Sequence, residues 1–123
     1  WSENYSCKYG EEVQAIHFGA SRNQIALHTG VVYMANDQKL MFCTASNLTD
    51  HGAVSIWTHL DPILKLITNE YPSVKVLHFF TDGPTSQYRN KTNFYLMCQI
   101  SPNYGFEFCS WNFWEAGHGK GPA

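Results

Sequence analysis

Charged residues are scarce in this chain, and their shortage limits what its surface can be. Lysine, arginine, aspartate and glutamate make up 15% of the 123 residues, against about a quarter in a typical soluble protein. Hydrophobic residues reach 44%, so some apolar surface is left to meet flanking domains or a second copy. We expect one domain over residues 1–123, a piece of a longer chain that is truncated at both ends.

The sequence also lacks a long apolar run and an excess of basic residues. No run approaches the roughly 18 apolar residues of a membrane span, so we expect a soluble fragment and no membrane partner. The net charge is −2 and the pI is about 6.3, which is not the basic footprint expected of a stand-alone nucleic-acid-binding domain. If the chain binds DNA, flanking regions must supply much of the affinity.

Zinc and disulfide signatures are missing as well. The four cysteines form no C-x-x-C pair and the histidines form no H-x₃-H pair, so no zinc site is predicted. Three of the cysteines lie in runs that predict buried strand or helix. Reduced core thiols are therefore favoured over disulfides.

The first half of the chain predicts three strands and a helix. Residues 1–9 are typical of the tail of a strand, and the apolar runs 24–34 and 39–46 predict a hairpin because Asn36-Asp37 between them is a turn signal. Apolar residues then recur at three- and four-residue spacing through residues 54–67, behind capping residues at 47–50. Within this predicted helix, Pro62 indicates either a kink or the start of a second segment.

The second half predicts strand, helix, strand. The apolar run 74–80 is typical of a central strand covered on both faces, Pro84-Thr85-Ser86 opens a second helix that carries Tyr88, and residues 106–114 alternate as a last strand. The fold class is therefore α/β, with the order βββαβαβ in a mixed sheet. The helices are expected to be right-handed crossovers between parallel strands.

Asp82 is the leading candidate for a functional carboxylate, because it follows the predicted central strand directly. Functional groups gather at the carboxyl ends of parallel strands, and Glu115 follows the last strand in the same way. With Glu3 of the first strand, three acids could converge and bind Mg²⁺ or Mn²⁺, which prefer hard oxygen ligands. Two such ions about 4 Å apart support phosphodiester cleavage. The alternative is an ordinary Asp-Gly turn after a strand.

Several motifs carry a family resemblance. Thr81-Asp82-Gly83 with Ser86-Gln87-Tyr88 resembles, with an offset, the T-D-N-G-S-Q-F stretch of retroviral-type integrases and related DDE transposases. A broader likeness to a group of animal transposon-derived proteins covers essentially the whole chain. Its motifs are residues 1–6, 24–28, 79–83, 87–88, 93–94, 111–113 and 118–121.

The resemblance implies a ribonuclease H-like DDE catalytic core that acts on DNA in the nucleus with Mg²⁺ or Mn²⁺. Asp82 is the acid that matches cleanly. In that group an Asp immediately precedes the position of Trp1, so the first acid would lie outside this chain. The resemblance places an Asp-Gly pair shortly beyond the His118-Gly-Lys stretch, which would supply the third acid from outside this chain. Glu115 is the alternative on spacing alone, because 32 residues separate it from Asp82, a spacing within the usual range for DDE enzymes.

Five further residues are candidates for contacts with DNA. Gln87, Arg89 and Lys91 lie at the predicted start of the second helix, where anions are favoured, although a solvated face explains them equally well. His118 and Lys120 lie in a glycine-rich turn and could contact a phosphate, or could form an exposed basic turn.

Three functions remain open at this point. The leading one is a DDE-type transposase or integrase core that cleaves DNA and transfers strands. A ribonuclease H-like nuclease without strand transfer shares the fold and the metals. A transposon-derived protein that has lost an acid and is retained for DNA binding or as a scaffold is the non-enzymatic alternative.

Overall fold

A computed structural model describes residues 2–6 and 24–114 of the chain. The predicted order of elements is confirmed, and the class is α/β. No helix in the described part is long and apolar enough to cross a membrane. The strands are β1 (Ser2–Ser6), β2 (Gln24–Tyr33), β3 (Lys39–Ser46), β4 (Val76–Thr81) and β5 (Phe108–Phe113), and the helices are α1 (Ala53–Glu70), α2 (Lys91–Ile100) and a 3-10 turn (Ser101–Tyr104).

The predicted hairpin is confirmed. β2 and β3 pair antiparallel, with Val31 opposite Met41, and β1 joins the other edge of β2 with Ser2 opposite His28. The turn closes where the backbone N–H of Met34 donates to Gln38 O at 2.9 Å. Asp37 takes a positive φ of 62°, a conformation that aspartate tolerates better than most residues.

The amphipathic helix is also confirmed as α1, which buries one face between the two sheets. Before its start, Asp50 Oδ2 accepts from the N–H of the N-cap residue Gly52 at 3.2 Å and from the Ser55 hydroxyl at 2.9 Å. No side chain among the described residues caps the N–H groups of the first turn of α1. Pro62 does not restart the helix. Since Pro62 is exposed, the carbonyl that loses its partner there can bond to water.

The strands form two sheets rather than the single mixed sheet predicted. β1, β2 and β3 form an antiparallel sheet, and β4 and β5 form a parallel pair connected through α2. The prediction that the β4 region is covered on both faces was wrong. Leu77 and Phe79 pack on the core, whereas Val76 and Phe80 are 50% and 57% exposed, because the described helices lie on one face only.

The second helix begins later than predicted, at Lys91 instead of residues 84–86. The backbone carbonyl of Pro84 accepts N–H groups from Gln87, Tyr88 and Arg89, which closes a compact turn after β4. The Asn90 side chain then caps α2, since its Oδ1 accepts from Asn93 N at 2.9 Å. Tyr88 therefore lies in the turn and not on the helix.

The core lies where α1 meets the inner faces of both sheets. Its aromatic centre is Trp111 of β5, whose ring stacks on Phe79 with centroids 4.4 Å apart and meets Trp57 of α1 edge-on. Among the described cysteines, Cys109 packs against this core as predicted, whereas Cys43 and Cys98 lie outside it, contrary to prediction. Cys43 and Cys98 are exposed and Cys109 is half-buried, all three as free thiols.

Candidate functional site

Asp82 lies exposed at the carboxyl end of β4, immediately after its last residue, Thr81. Two hydrogen bonds from β5 and its end fix Thr81. Trp114 N donates to the Thr81 carbonyl at 2.9 Å, and Trp111 Nε1 donates to the Thr81 hydroxyl at 2.9 Å. Thr81, the residue before Asp82, is therefore held through both its main chain and its side chain.

The end of β5 lies beside Asp82, as predicted from the parallel pairing. Thr81 pairs with Phe113, which places Trp114 next to the backbone at Asp82. Glu115 follows Trp114 in the sequence but lies outside the described residues, as do His118 and Lys120. The strand ends thus meet at one edge of the sheet, and the position of the Glu115 carboxylate stays a prediction.

Glu3 is described only by its backbone, which pairs with Leu27 of β2. Its side chain lies outside the described part of the structure. Among residues 2–6 and 24–114, no group of three or more His, Cys, Asp or Glu side chains could hold a metal ion. Asp82 supplies one hard oxygen ligand of the type that Mg²⁺ and Mn²⁺ prefer, and nothing among the described residues engages its carboxylate in a hydrogen bond or ion pair.

The turn after Asp82 folds back on the end of β5 and brings Arg89 close to the site. A Cβ built on Gly83 would lie 3.8 Å from both Arg89 Cδ and Phe113 Cδ1, and the Arg89 guanidinium carbon lies 5.7 Å from the centroid of the Phe113 ring. Gln87 is half-buried, and Lys91 is exposed in the first turn of α2. Arg89 is one of the predicted DNA-contact residues. Its contacts with Gly83 and Phe113 hold it next to the backbone that follows Asp82.

A network of buried polar groups lies beneath this turn. Asn93 is fully buried, accepts from Trp57 Nε1 at 2.8 Å, and donates through Nδ2 to the carbonyl of Tyr88 at 2.9 Å. The Tyr88 hydroxyl lies 3.4 Å from His28 Nε2, the long end of hydrogen bonding. We call the four residues Tyr88, Asn93, Trp57 and His28 the buried polar network. It joins the turn to α1, α2 and β2.

No role was predicted from the sequence for this buried polar network. Tyr88 was placed on the second helix, and its burial in the turn depends on contacts distant in sequence. His28 does carry a local signal, since it is a polar residue in the largely apolar strand β2, whereas Asn93 follows the polar residues Lys91 and Thr92. Because buried polar groups generally take hydrogen-bond partners, His28 could have been singled out as a member of an interior network.

The groups beneath Asp82 are uncharged at neutral pH. The pKa of His28 is lowered from 6.5 to about 3, mainly by burial, and the neighbouring His59 contributes to the same shift. Burial also raises the pKa of the Tyr88 phenol, with a second contribution from the negative charge of Asp82. Asp82 is therefore close enough to act electrostatically on Tyr88, and the interior behind it offers no counter-charge.

A shallow cleft of about 350 Å³ lies beside the turn, between the first turns of α1 and α2. Asp50, Ser86, Asn90 and Lys91 are among its lining residues. The Asn90 side chain already accepts from an N–H in the first turn of α2, whereas the Asp50 side chain accepts only from the N–H of the N-cap residue Gly52 before α1. The amide groups that would attract an anion are thus partly satisfied by the protein itself.

Comparisons with known proteins give one match. No curated protein and no solved structure is matched by this chain. A comparison with protein families matches residues 1–123, the full chain, to the family described as Domain of unknown function (DUF8701). The protein belongs to the DUF8701 family.

Proposed function

We propose that this chain is the core of a DDE-type transposase or integrase-like enzyme whose full-length form cleaves and joins DNA phosphodiesters in the nucleus. The observation that carries the proposal is the placement of Asp82, which is exposed at the carboxyl end of β4 beside the end of the parallel strand β5. In α/β sheets, this edge is where ligand-binding groups gather.

The chemistry assigned to Asp82 is that of a metal ligand. Divalent ions activate the attacking hydroxyl and stabilise the leaving oxygen in phosphodiester cleavage. An exposed carboxylate on a backbone anchored by Trp111 and Trp114 suits a ligand that must hold its position. Glu115 and Glu3 remain the proposed partners of Asp82, with acids beyond the two ends of the chain as the alternative.

The finer fold assignment, a ribonuclease H-like core, belongs to the same proposal. It is supported by the order βββαβαβ and by the crossover from β4 through α2 to the parallel strand β5. A nuclease that does not transfer strands would use the same fold and metals. Only the reaction products separate these two enzymes.

DNA contacts are proposed for the surface around the turn after Asp82. Arg89 lies next to Gly83, and Lys91 opens α2, so both cations lie on the polypeptide that follows the candidate ligand. Gln87 in the same turn could add a hydrogen bond, and His118 and Lys120 are proposed to add further contacts. Because the chain's net charge is −2, we expect these contacts to orient DNA, with flanking regions supplying much of the affinity.

The test is an activity assay on the full-length protein with a labelled DNA duplex and Mg²⁺ or Mn²⁺. We expect Asp82→Asn to abolish metal-dependent cleavage and strand transfer. Asp37→Asn is the matched control, because Asp37 is exposed in the hairpin turn and asparagine tolerates its positive φ equally well. Equal activity in wild type and Asp82→Asn would overturn the proposal, and cleavage without joining would favour the nuclease.

A non-enzymatic role is the second candidate, and exposed apolar side chains favour it. Phe80, Phe108 and Trp114 on the outer face of β4 and β5 are 57%, 55% and 51% exposed, a surface suited to contact with flanking domains or a second copy. A scaffold or DNA-binding protein predicts DNA binding without turnover in wild type. The activity assay therefore distinguishes it from both enzymes.

A further inference from the structure

The outer face of β4 and β5 carries a contiguous group of apolar side chains. Each of its four members is at least half-exposed, and the described helices lie on the opposite face of the strands: Val76, Phe80, Phe108 and Trp114. We call this group the outer aromatic face. Parallel strands are ordinarily covered on both faces, so a parallel pair with one aromatic face open points to a partner that covers it.

The rings of the outer aromatic face hold one another in place. Phe80 and Trp114 have ring centroids 5.4 Å apart, and Phe108 meets the ring of His78 edge-on at 5.9 Å. Val76 lies opposite Phe108 across the two strands. Side chains that are already ordered lose little conformational entropy when a partner binds, so this face is prepared for contact.

The polar side chains between the rings are largely satisfied by one another. Asn112 Nδ2 donates to Ser110 Oγ at 3.0 Å and to the Phe79 carbonyl at 3.1 Å. The Ser110 oxygen lies 2.7 Å from His78 Nδ1, to which its O–H can donate. These groups keep their hydrogen bonds when an apolar surface covers them, which removes much of the cost of burying a polar group.

The outer aromatic face is suited to meet a copy of itself. The segments 76–80 and 108–112 contain no lysine, arginine, aspartate or glutamate, so two copies can meet without opposing like charges. Each copy also offers one acceptor, Asn112 Oδ1, and one donor, His78 Nε2 when Nδ1 accepts from Ser110. A two-fold symmetric contact can pair the donor of one copy with the acceptor of the other.

The absence of cations on these segments also bears on the kind of partner. Exposed rings on a sheet can stack nucleobases, but proteins that bind single strands in this way line the backbone path with positive charge. Segments 76–80 and 108–112 supply none. An uncharged aromatic surface therefore fits a protein partner better than a nucleic acid.

The size of the face fits the core of a dimer interface. A buried aromatic side chain removes about 150–250 Å² from solvent, so three half-exposed rings and Val76 leave roughly 300–400 Å² to bury in each copy. A stable interface takes about 800 Å² per partner and has an apolar core inside a polar rim. The face thus supplies about half of one partner's share, and surrounding residues supply the rim.

We propose that the outer aromatic face is the contact surface of a two-fold symmetric dimer of this chain. The rings of the two copies pack on one another, and His78 of each copy donates to Asn112 of the other. The inference does not depend on the proposed function of Asp82, because no step of it uses that carboxylate.

The first experiment is sedimentation velocity of the full-length protein over a dilution series. We expect a reversible dimer, and we expect Phe80→Arg to weaken dimerisation about tenfold or more, because a guanidinium would be buried against its own copy. Tyr95→Arg is the matched control, since Tyr95 is a 64% exposed aromatic residue on α2, outside this face. It should dimerise like wild type, and both variants should keep the melting temperature of the wild-type monomer.

A second measurement locates the contact. Phe80 is replaced by the photoreactive analogue p-benzoylphenylalanine, and unlabelled and ¹⁵N-labelled full-length protein are mixed and irradiated. Mass spectrometry of the cross-linked peptides distinguishes links between copies, which carry both isotopes, from links within one chain. We expect links between copies that join residue 80 to β4 or β5 of the second copy.

Several results would overturn the inference. Wild-type protein that stays monomeric at every concentration, or Phe80→Arg that dimerises like wild type, would exclude this face as the dimer contact. Cross-links from position 80 to a flanking part of the same chain would show that this part covers the face instead. Cross-links to an added single-stranded oligonucleotide in place of a second copy would show that the rings stack nucleobases.

Discussion

The hairpin of β2 and β3 and the parallel pair of β4 and β5 are stabilised by different kinds of contact. The hairpin strands are joined by a short turn, and their ladder forms between residues close in sequence. The parallel strands are joined through the turn after Asp82 and α2, so they depend on contacts between distant residues. The candidate ligand Asp82 therefore lies in the region whose geometry is set by contacts between residues distant in sequence.

The largest expected effect is the loss of the aromatic centre of the parallel pair. Trp111→Ala removes a buried ring that contacts Phe79, Tyr88 and Trp57, together with the hydrogen bond to Thr81. We expect the free energy of unfolding in urea to fall by about 3–5 kcal/mol.

Trp114→Ala is the control on the same strand end. Its ring is 51% exposed, so we expect its substitution to lower the free energy of unfolding by less than about 1 kcal/mol. Equal effects for the two tryptophans would contradict the central role given to Trp111.

The second prediction concerns low pH, which should act on His28. This residue of β2 contacts Tyr88 in the turn after Asp82 and so joins the two regions. His28 is 5% exposed and its pKa in the folded protein is about 3, below the ordinary 6.5, so the unfolded chain takes up the proton first as the pH falls. This contribution to stability is complete above about pH 6.5 and is lost as the pH falls toward 3. We expect a loss of about 3 kcal/mol between pH 6.5 and 4.

The measurement is the free energy of unfolding in urea across that pH range. His28→Gln should be less stable than wild type at pH 7 and should lose less stability in acid, because it has no group to protonate. An equally steep loss in His28→Gln and wild type would show that His28 is not the group responsible.

Sequence predicted the hairpin well because its determinants are local. The alternation in β2 and β3 and the turn signal at Asn36-Asp37 gave the two strands to within a residue. The start of α2 was missed because residues 84–86 and Asn90 both match a helix start. The carbonyl of Pro84 is used by the turn instead, which only the folded structure reveals.

The position of Asp82 was predictable for a different reason, the order of the elements along the chain. That an acid after β4 lies at a sheet edge next to the end of β5 follows from the order of elements, and Asp82 was found in this way. An apolar run does not tell whether one face or both are covered, so the exposure of Phe80 was missed. The pairing of Asn93 with Tyr88 and Trp57 depends on three elements meeting, and periodicity carries no signal for it.

The smallest expected effect compares the two turns directly. Asn90 caps α2 and also donates to the carbonyls of Thr85 and Gln87, so Asn90→Ala should cost about 1 kcal/mol or somewhat more. Asn36→Ala removes only one long, exposed contact to Gln38 N in the hairpin turn, and should cost less than about 0.5 kcal/mol. Chemical denaturation of both variants tests this order, and the reverse order would contradict it.

The assignment of Asp82 as a metal ligand is tested most directly by locating the bound ion with nuclear magnetic resonance of the full-length protein during a titration with Mn²⁺. We expect the backbone amide signals of Asp82, Gly83 and Trp114 to broaden first, and Asp82→Asn to remove this broadening. Broadening centred on other acidic residues, or unchanged broadening in Asp82→Asn, would contradict the assignment of Asp82 as a metal ligand.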